Sequence, residues 1–286
     1  MTDKESFSAL EALYRRLRLM CLGYLVLAVL ALVFFFVDRR GMVAALAGCL
    51  VFHLLVIRPQ TAAYRRSYIH ACAMSMLSRR FQAPIHQPES FFAPEELRKV
   101  RLIAANSTNG GVLCREGCLG TYRGMEVLLG DITLAHSYPD GRGLRHQFLT
   151  GTWVTVKLGK DTGLDWRLIR EDLMWKGSSD KLYKENPDLE QLRDLGPKWI
   201  REGWLTVRRK GTPDFPPDRV MEALKPLARA ARMPMAVCIQ GDQMHFFLEN
   251  VILAMKVGLR MPPQRVLVEA DRIPELDRFL AVAWAT

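Results

Sequence analysis

Two histidines and an aspartate bracket a turn signal in the middle of the chain: His136 and His146 lie either side of Pro139-Asp140-Gly141, with Asp131 close in sequence. Imidazole and carboxylate groups are common carriers of general acid–base chemistry and, with a third ligand, of metal binding. His136, Asp140 and His146 are therefore the candidate catalytic residues. Sequence proximity supplies no geometry, and ordinary strand and turn positions account for the same three residues. Trp153, at the end of FLTGTW, is the candidate binding residue, because an indole either anchors a ligand or fills a sheet core. Gly151, between Thr150 and Thr152, permits a bulge or a close backbone approach.

The other reactive side chains are scattered. Of six cysteines, only Cys114 and Cys118 are near neighbours, and C-x-x-x-C is neither a redox pair nor half of a zinc site. They read as free thiols, and no metal or cofactor is expected. His53 falls near the end of an apolar run, where its ring can reach headgroups, and His245 alternates within a strand pattern. The sequence has no phosphate loop, G-x-G-x-x-G, H-E-x-x-H or G-x-S-x-G. The net charge of +10 invites a nucleic-acid partner. Its basic residues, however, are dispersed among acids and form no finger, arm or RNA-binding signature, so none is expected. A solvated surface beside anionic lipid accounts for the charge.

The elements that must position these residues begin with two apolar runs. Residues 19–37 carry no charge, and residues 41–57 carry only His53. A bilayer core of about 30 Å takes about 20 helical residues, so the runs predict a transmembrane hairpin turning at Asp38-Arg39-Arg40. Arg18, Arg39, Arg40 and Arg58 mark the membrane interfaces, with side chains long enough to reach headgroups. LAGC at 46–49 imitates a lipidation site, but Cys49 is followed by more apolar sequence, not an exposed polar tail. Lysines and arginines are more numerous beside the outer ends of the runs than in the turn. The positive-inside rule then puts both termini in the cytoplasm of a bacterial inner-membrane protein with two spans.

The expected division is a tail at 1–18, the hairpin at 19–57, a juxtamembrane helical region at 58–110 and an α+β cytoplasmic domain at 111–286. In the third part, an amphipathic helix runs off the second span, a proline-bearing linker covers 83–92, and a helix starts at Pro94. Residues 111–157 alternate like an antiparallel meander. Residues 165–196 have no clear pattern. The last third predicts a strand (GWLTVRRKG), a helix with Val220, Leu224 and Leu227 on one face, a hairpin turning through Gln240-Gly241-Asp242, and a final helix from Asp271 with Phe279, Leu280 and Val282 inward.

Two spans followed by GTYRGMEVLLGDITL, FLTGTWVTVKL, RVMEALKPLARAA and MAVCIQGDQMHFFLEN resemble a bacterial membrane-protein family of uncharacterised function, sometimes encoded near LemA-type proteins. The resemblance covers the chain to about Val251, implies the architecture and supplies no catalytic residues. The expected function is a membrane-anchored interaction or regulatory module. Its partners would be the bilayer and a protein, either a LemA-type membrane protein or a second copy of the chain. The alternative is a membrane-tethered enzyme acting on a lipid-derived or peptide substrate through His136, Asp140 and His146.

Overall fold

A computed structural model describes residues 3–103, 111–140, 143–173, 186–192, 195–201, 203–230, 233–252, 262–263 and 274–286, by backbone alone at 3–7, 35, 39, 136–140 and 143–147. Contacts divide the chain into two compact units, residues 1–75 with 256–270, and residues 76–255 with 271–286.

The first unit is built on long helices. Helix α1 (Asp3–Val37) includes residues 3–18 of the expected tail. Helix α2 (Arg39–Phe52) passes through a π-helical turn (His53–Ile57) into α3 (Arg58–Ser78). One residue separates α1 from α2. Asp38 adopts extended backbone, and its carboxylate accepts the N–H groups of Arg40 at 3.1 Å and Gly41 at 3.0 Å, which satisfies two donors that a helix start leaves orphaned. Gly41 keeps the two helices close, since a Cβ there would lie 2.8 Å from the Phe34 ring. Pro59 does not break the second helix, because the π turn passes the Arg58 N–H to His53 and proline has no N–H to place. The stretches Ser8–Phe34 and Arg40–Ser78 are long and apolar enough to cross a membrane.

The second unit is α+β, on a nine-stranded sheet with every neighbouring pair antiparallel. Its strands are β1 (Gln82–Gln87), β2 (Val112–Tyr122), β3 (Met125–Asp140), β4 (Gly143–Lys157), β5 (Asp165–Arg170), β6 (Leu189–Gln191), β7 (Trp204–Arg209), β8 (Met235–Gln240) and β9 (Gln243–Leu248). The spatial order is β1-β2-β3-β4-β9-β8-β5-β7-β6. Turn chemistry sets two hairpins. Arg123 and Gly124 both have positive φ, as a type I′ turn requires, and Gly241 supplies the positive φ between β8 and β9.

Alternation gives the sheet two covered faces. On one, α4 (Pro94–Val100) and Phe92 pack over Ile132, Trp153 and Phe247. Phe92 reaches the sheet because Gly130 has no side chain; a Cβ there would approach its ring at 3.1 Å. The other face takes the last two helices, which we label α6 (Asp218–Ala230) and α7 (Pro274–Ala285), after a short α5 (Lys198–Arg201). Val220, Leu224 and Leu227 of α6 are fully buried, and the Phe279 ring of α7 stacks on Phe246 at 4.8 Å. Pro226 lies within α6 without ending it.

Several expectations are corrected. The proline-bearing linker contains β1, so the sheet begins before residue 111 and the contact boundary falls at 75/76. The unpatterned stretch holds β5, a 3-10 turn (Glu171–Leu173) and β6, with residues 174–185 outside the described residues. Strands β3 and β4 continue through Pro139 and Asp140, leaving only residues 141–142, also outside the described residues, between them. The last helix is described over Pro274–Ala285, and its expected start at Asp271 lies outside the described residues. Cys114 and Cys118 share no face. A bulge at Glu116 pairs them with Ile132 and Leu129, three residues apart on β3 and therefore on opposite sides.

Candidate functional site

The register of four adjacent strands brings together polar residues that are far apart in sequence. Arg167, Cys238, His245 and Thr155 are directly opposed in turn across β5, β8, β9 and β4. Two residues along, Asp165, Gln240, Gln243 and Lys157 form a parallel row. Each strand thus contributes an i, i+2 pair to the face that α4 covers.

Arg167 is the structural centre of this stripe. Its side chain has no exposed surface, yet each of its three nitrogens has an acceptor. Nη1 bonds the Asp165 carboxylate at 2.5 Å, Nη2 donates to the Val100 carbonyl at 2.9 Å, and Nε donates to the carbonyls of Val100 and Arg101 at 3.2 and 3.1 Å. The last carbonyls of a helix lack intrahelical partners and carry its negative dipole end. Arg167 supplies both the donors and the opposite charge, so it pins α4 to the sheet. Asp165 also accepts from Gln240 Nε2 at 3.1 Å. These partners offset part of the cost of burying the ions.

Beside the clamp lies a second chain of bonds. Trp153 Nε1 donates to Thr155 Oγ1 at 3.2 Å, and Thr155 Oγ1 lies 3.0 Å from His245 Nδ1. The threonine oxygen has a second lone pair, so the donor in its bond to Nδ1 follows the imidazole tautomer. Burial, aided by the Arg167 charge, lowers the His245 pKa to about 3. Burial also pushes the Cys238 thiol up to about 11, against the opposing pull of Arg167. Cys238 and His245 are facing neighbours of the types used in nucleophilic catalysis. At neutral pH the thiol is protonated and the imidazole neutral, and Cys238 is wholly buried in the apolar core. The pair does not have the character of a thiolate–imidazolium nucleophile.

A cavity of about 350 Å³ opens next to this chain. Thr155 and His245 contribute polar groups at its floor. Phe92, Leu97, Val100 and Leu128 supply apolar walls, and Glu96, Lys99, Lys157, Gln240 and Gln243 stand around it. Lys157 is bonded to Glu126 at 2.6 Å, which raises its pKa and holds it charged. The volume is at the small end of ligand pockets, and the lining, four apolar residues and seven polar or charged ones, is more polar than such pockets usually are.

The residues singled out from sequence are distributed otherwise. His136 is registered opposite Gln147, His146 opposite Ser137 and Asp140 opposite Gly143, so the two histidines are not a directly opposed pair. Their side chains lie outside the described residues. Trp153 is 1% exposed and touches a second pocket of only 30 Å³, room for a water or two. Its contribution to the larger cavity is indirect, through Thr155. Arg18 is exposed with its guanidinium 5.8 Å from the Tyr14 ring, and Arg40 and Arg58 are exposed. The Arg39 side chain lies outside the described residues. His53 is exposed near Tyr24, at 5.8 Å. No group of three or more His, Cys, Asp and Glu suited to a metal occurs among the described residues.

No family model matches the chain, and no curated protein does. Among solved structures, the crystal structure of the mycobacterial trehalose monomycolate transport factor A, TtfA, is similar with a TM-score of 0.39 and 13% identity, over 76% of this chain and 96% of that one. A likeness at that score carries no argument about this chain.

Proposed function

We propose that this chain is a membrane-anchored interaction module: a two-span hairpin holds an α+β domain at the cytoplasmic face of a bacterial inner membrane, where the domain binds a protein partner. The observation that carries the reading is the surface of the two long helices. Only 11% of the most apolar window of each is buried, and large side chains such as Leu22, Leu25, Phe36 and Leu55 stand exposed. Burying one large apolar side chain is worth about 1.5–3 kcal/mol, so an array of this size in water would cost tens of kcal/mol, roughly. Lipid removes that cost, and Asp38 with Arg40 at the turn and Arg18 and Arg58 at the other ends provide interfacial charge. An anchor of two helices is too small for a transport path. The neutral His245 and protonated Cys238 beside the cavity favour binding over catalysis.

The resemblance to a family sometimes encoded near LemA-type proteins names one partner for this reading, and a second copy of the chain is the other. Crosslinking in intact cells, detergent extraction and mass spectrometry of co-purifying proteins test it. A reproducible partner that is lost on removing residues 81–286 is the expected result. Partners that remain after that removal would assign binding to the hairpin and overturn the reading.

A further inference from the structure

We infer that the cavity between α4 and the β4–β9–β8 strands takes a small uncharged molecule carrying several hydroxyl groups, a polyol or a single sugar ring. The inference goes beyond the reading of the domain as a partner-binding module, because it adds a small-molecule site. It starts from His245, which is 4% exposed and lines the cavity. Nδ1 is committed to Thr155 Oγ1, and Nε2 makes no hydrogen bond among the described residues, so that nitrogen is left for a ligand. Burial lowers the pKa to about 3, which keeps the ring neutral at physiological pH. One ring nitrogen then carries a proton and the other a lone pair, and which is which follows the bond to Thr155. A hydroxyl both donates and accepts, so it satisfies Nε2 in either tautomer. An ammonium only donates, and a carboxylate only accepts.

The rest of the lining has the same two-way character. Gln240 and Gln243 are directly opposed where β8 meets β9. Gln240 Nε2 donates to the Asp165 carboxylate at 3.1 Å, and because a carboxylate only accepts, the amide oxygen remains as an acceptor. Charges around the cavity balance. Lys157 is paired with Glu126 at 2.6 Å, Glu96 and Lys99 share a turn of α4, and all four side chains are open to solvent. A ligand with net charge finds no surplus counter-charge, and exposed ions contribute little to holding a zwitterion. A purely apolar ligand would displace water from seven polar or charged residues and replace none of its hydrogen bonds. Several hydroxyls replace them, while Phe92, Leu97, Val100 and Leu128 cover the C–H faces of the body that carries them. The volume of about 350 Å³ limits that body to the small end of ligand sizes.

The test is a matched set on a six-membered ring, myo-inositol, cyclohexanol, cyclohexylamine and cyclohexanecarboxylate, with glucose and glycine added. Each is titrated into the full-length protein in nanodiscs made from uncharged lipid and followed by NMR of the His245 ring nitrogens. Myo-inositol or glucose should bind and shift the Nε2 signal more than the Nδ1 signal. Cyclohexanol should be at least about tenfold weaker, the loss expected when the remaining hydroxyl bonds are missing. Glu96→Gln with Lys99→Gln removes two exposed charges and should leave polyol binding within about twofold. Gln243→Leu, at a half-buried position, should weaken it about tenfold. Leu128→Trp, which fills the cavity from another half-buried position, should abolish it. Failure of both polyols to bind, tighter binding of the amine, the carboxylate or glycine, or equal binding of cyclohexanol would overturn the inference. Polyol binding that survives Leu128→Trp, or that is lost with the two charges, would overturn it as well. Crosslinked partner recovery from cells reads the module separately: a retained partner with no polyol binding rejects the small-molecule site alone.

Discussion

At the scale of single residues, Arg167 and His245 are two of the buried polar side chains of the sheet domain. Arg167 makes its bonds to Asp165, Val100 and Arg101 with no exposed surface. Arg167→Met should therefore destabilise the protein by about 3–5 kcal/mol, the cost of stranding a buried partner charge. Arg167→Lys should rescue little, since a point charge cannot reproduce a planar fork reaching three acceptors. Denaturant unfolding of the full chain in detergent measures both. His245 gives a pH signature whose sign follows from its lowered pKa. Its ordinary value is 6.5 and its folded value about 3, so between these the unfolded chain takes up a proton that the fold refuses. Acidification through that window should remove stability with a contribution of up to about 1.4 kcal/mol per pH unit. The difference between wild type and His245→Gln isolates it from the carboxylates, and a difference independent of pH would contradict the assignment. Neither residue stood out in the sequence, because DWRLIR and MHFFLEN show an arginine and a histidine in unrelated strands. Their meeting depends on β5, β8 and β9 being neighbours, which no local pattern specifies.

At the scale of elements, close approaches fix where strands end. Gly151 is the sharpest case, for a Cβ there would fall 2.1 Å from the Leu248 carbonyl and 2.6 Å from the Phe247 ring. Gly151→Ala should cost about 1–3 kcal/mol through forced displacement of the β9 end, read as a lowered unfolding midpoint; an unchanged midpoint would show that the strand end yields freely. This contact was legible as a glycine between two threonines. The elements read well where hydrophobic spacing acts alone. The 220/224/227 face, the Gly241 hairpin and the inward Phe279 and Leu280 follow from sequence because each packs by its own period. Reading failed at β1, whose QAPIHQ carries proline and polar side chains because it is an edge strand with limited burial. At the C-x-x-x-C stretch one bulged residue puts Cys114 and Cys118 on opposite faces, which a spacing of four does not reveal. The candidate site was illegible for the same reason in larger form. Its i, i+2 polar pairs, Asp165 with Arg167, Gln243 with His245 and Thr155 with Lys157, are individually ordinary, and only the sheet order makes them a stripe.

At the scale of the whole molecule, the account depends on the two long helices being in lipid, with the sheet domain and both ends on one side. The apolar runs were plain in the sequence. The helix running off the second span was also legible, whereas the π turn that carries it past Pro59 was not, because it depends on one backbone shift. The most direct measurement is site-specific labelling in spheroplasts with a membrane-impermeant maleimide, using Arg40→Cys at the turn and Lys210→Cys in the sheet domain, in a background lacking the six native cysteines. The account predicts label at position 40 from outside the intact membrane, and label at 210 only after the membrane is opened. Label at position 210 in intact spheroplasts, or recovery of the protein in the soluble fraction, would contradict it.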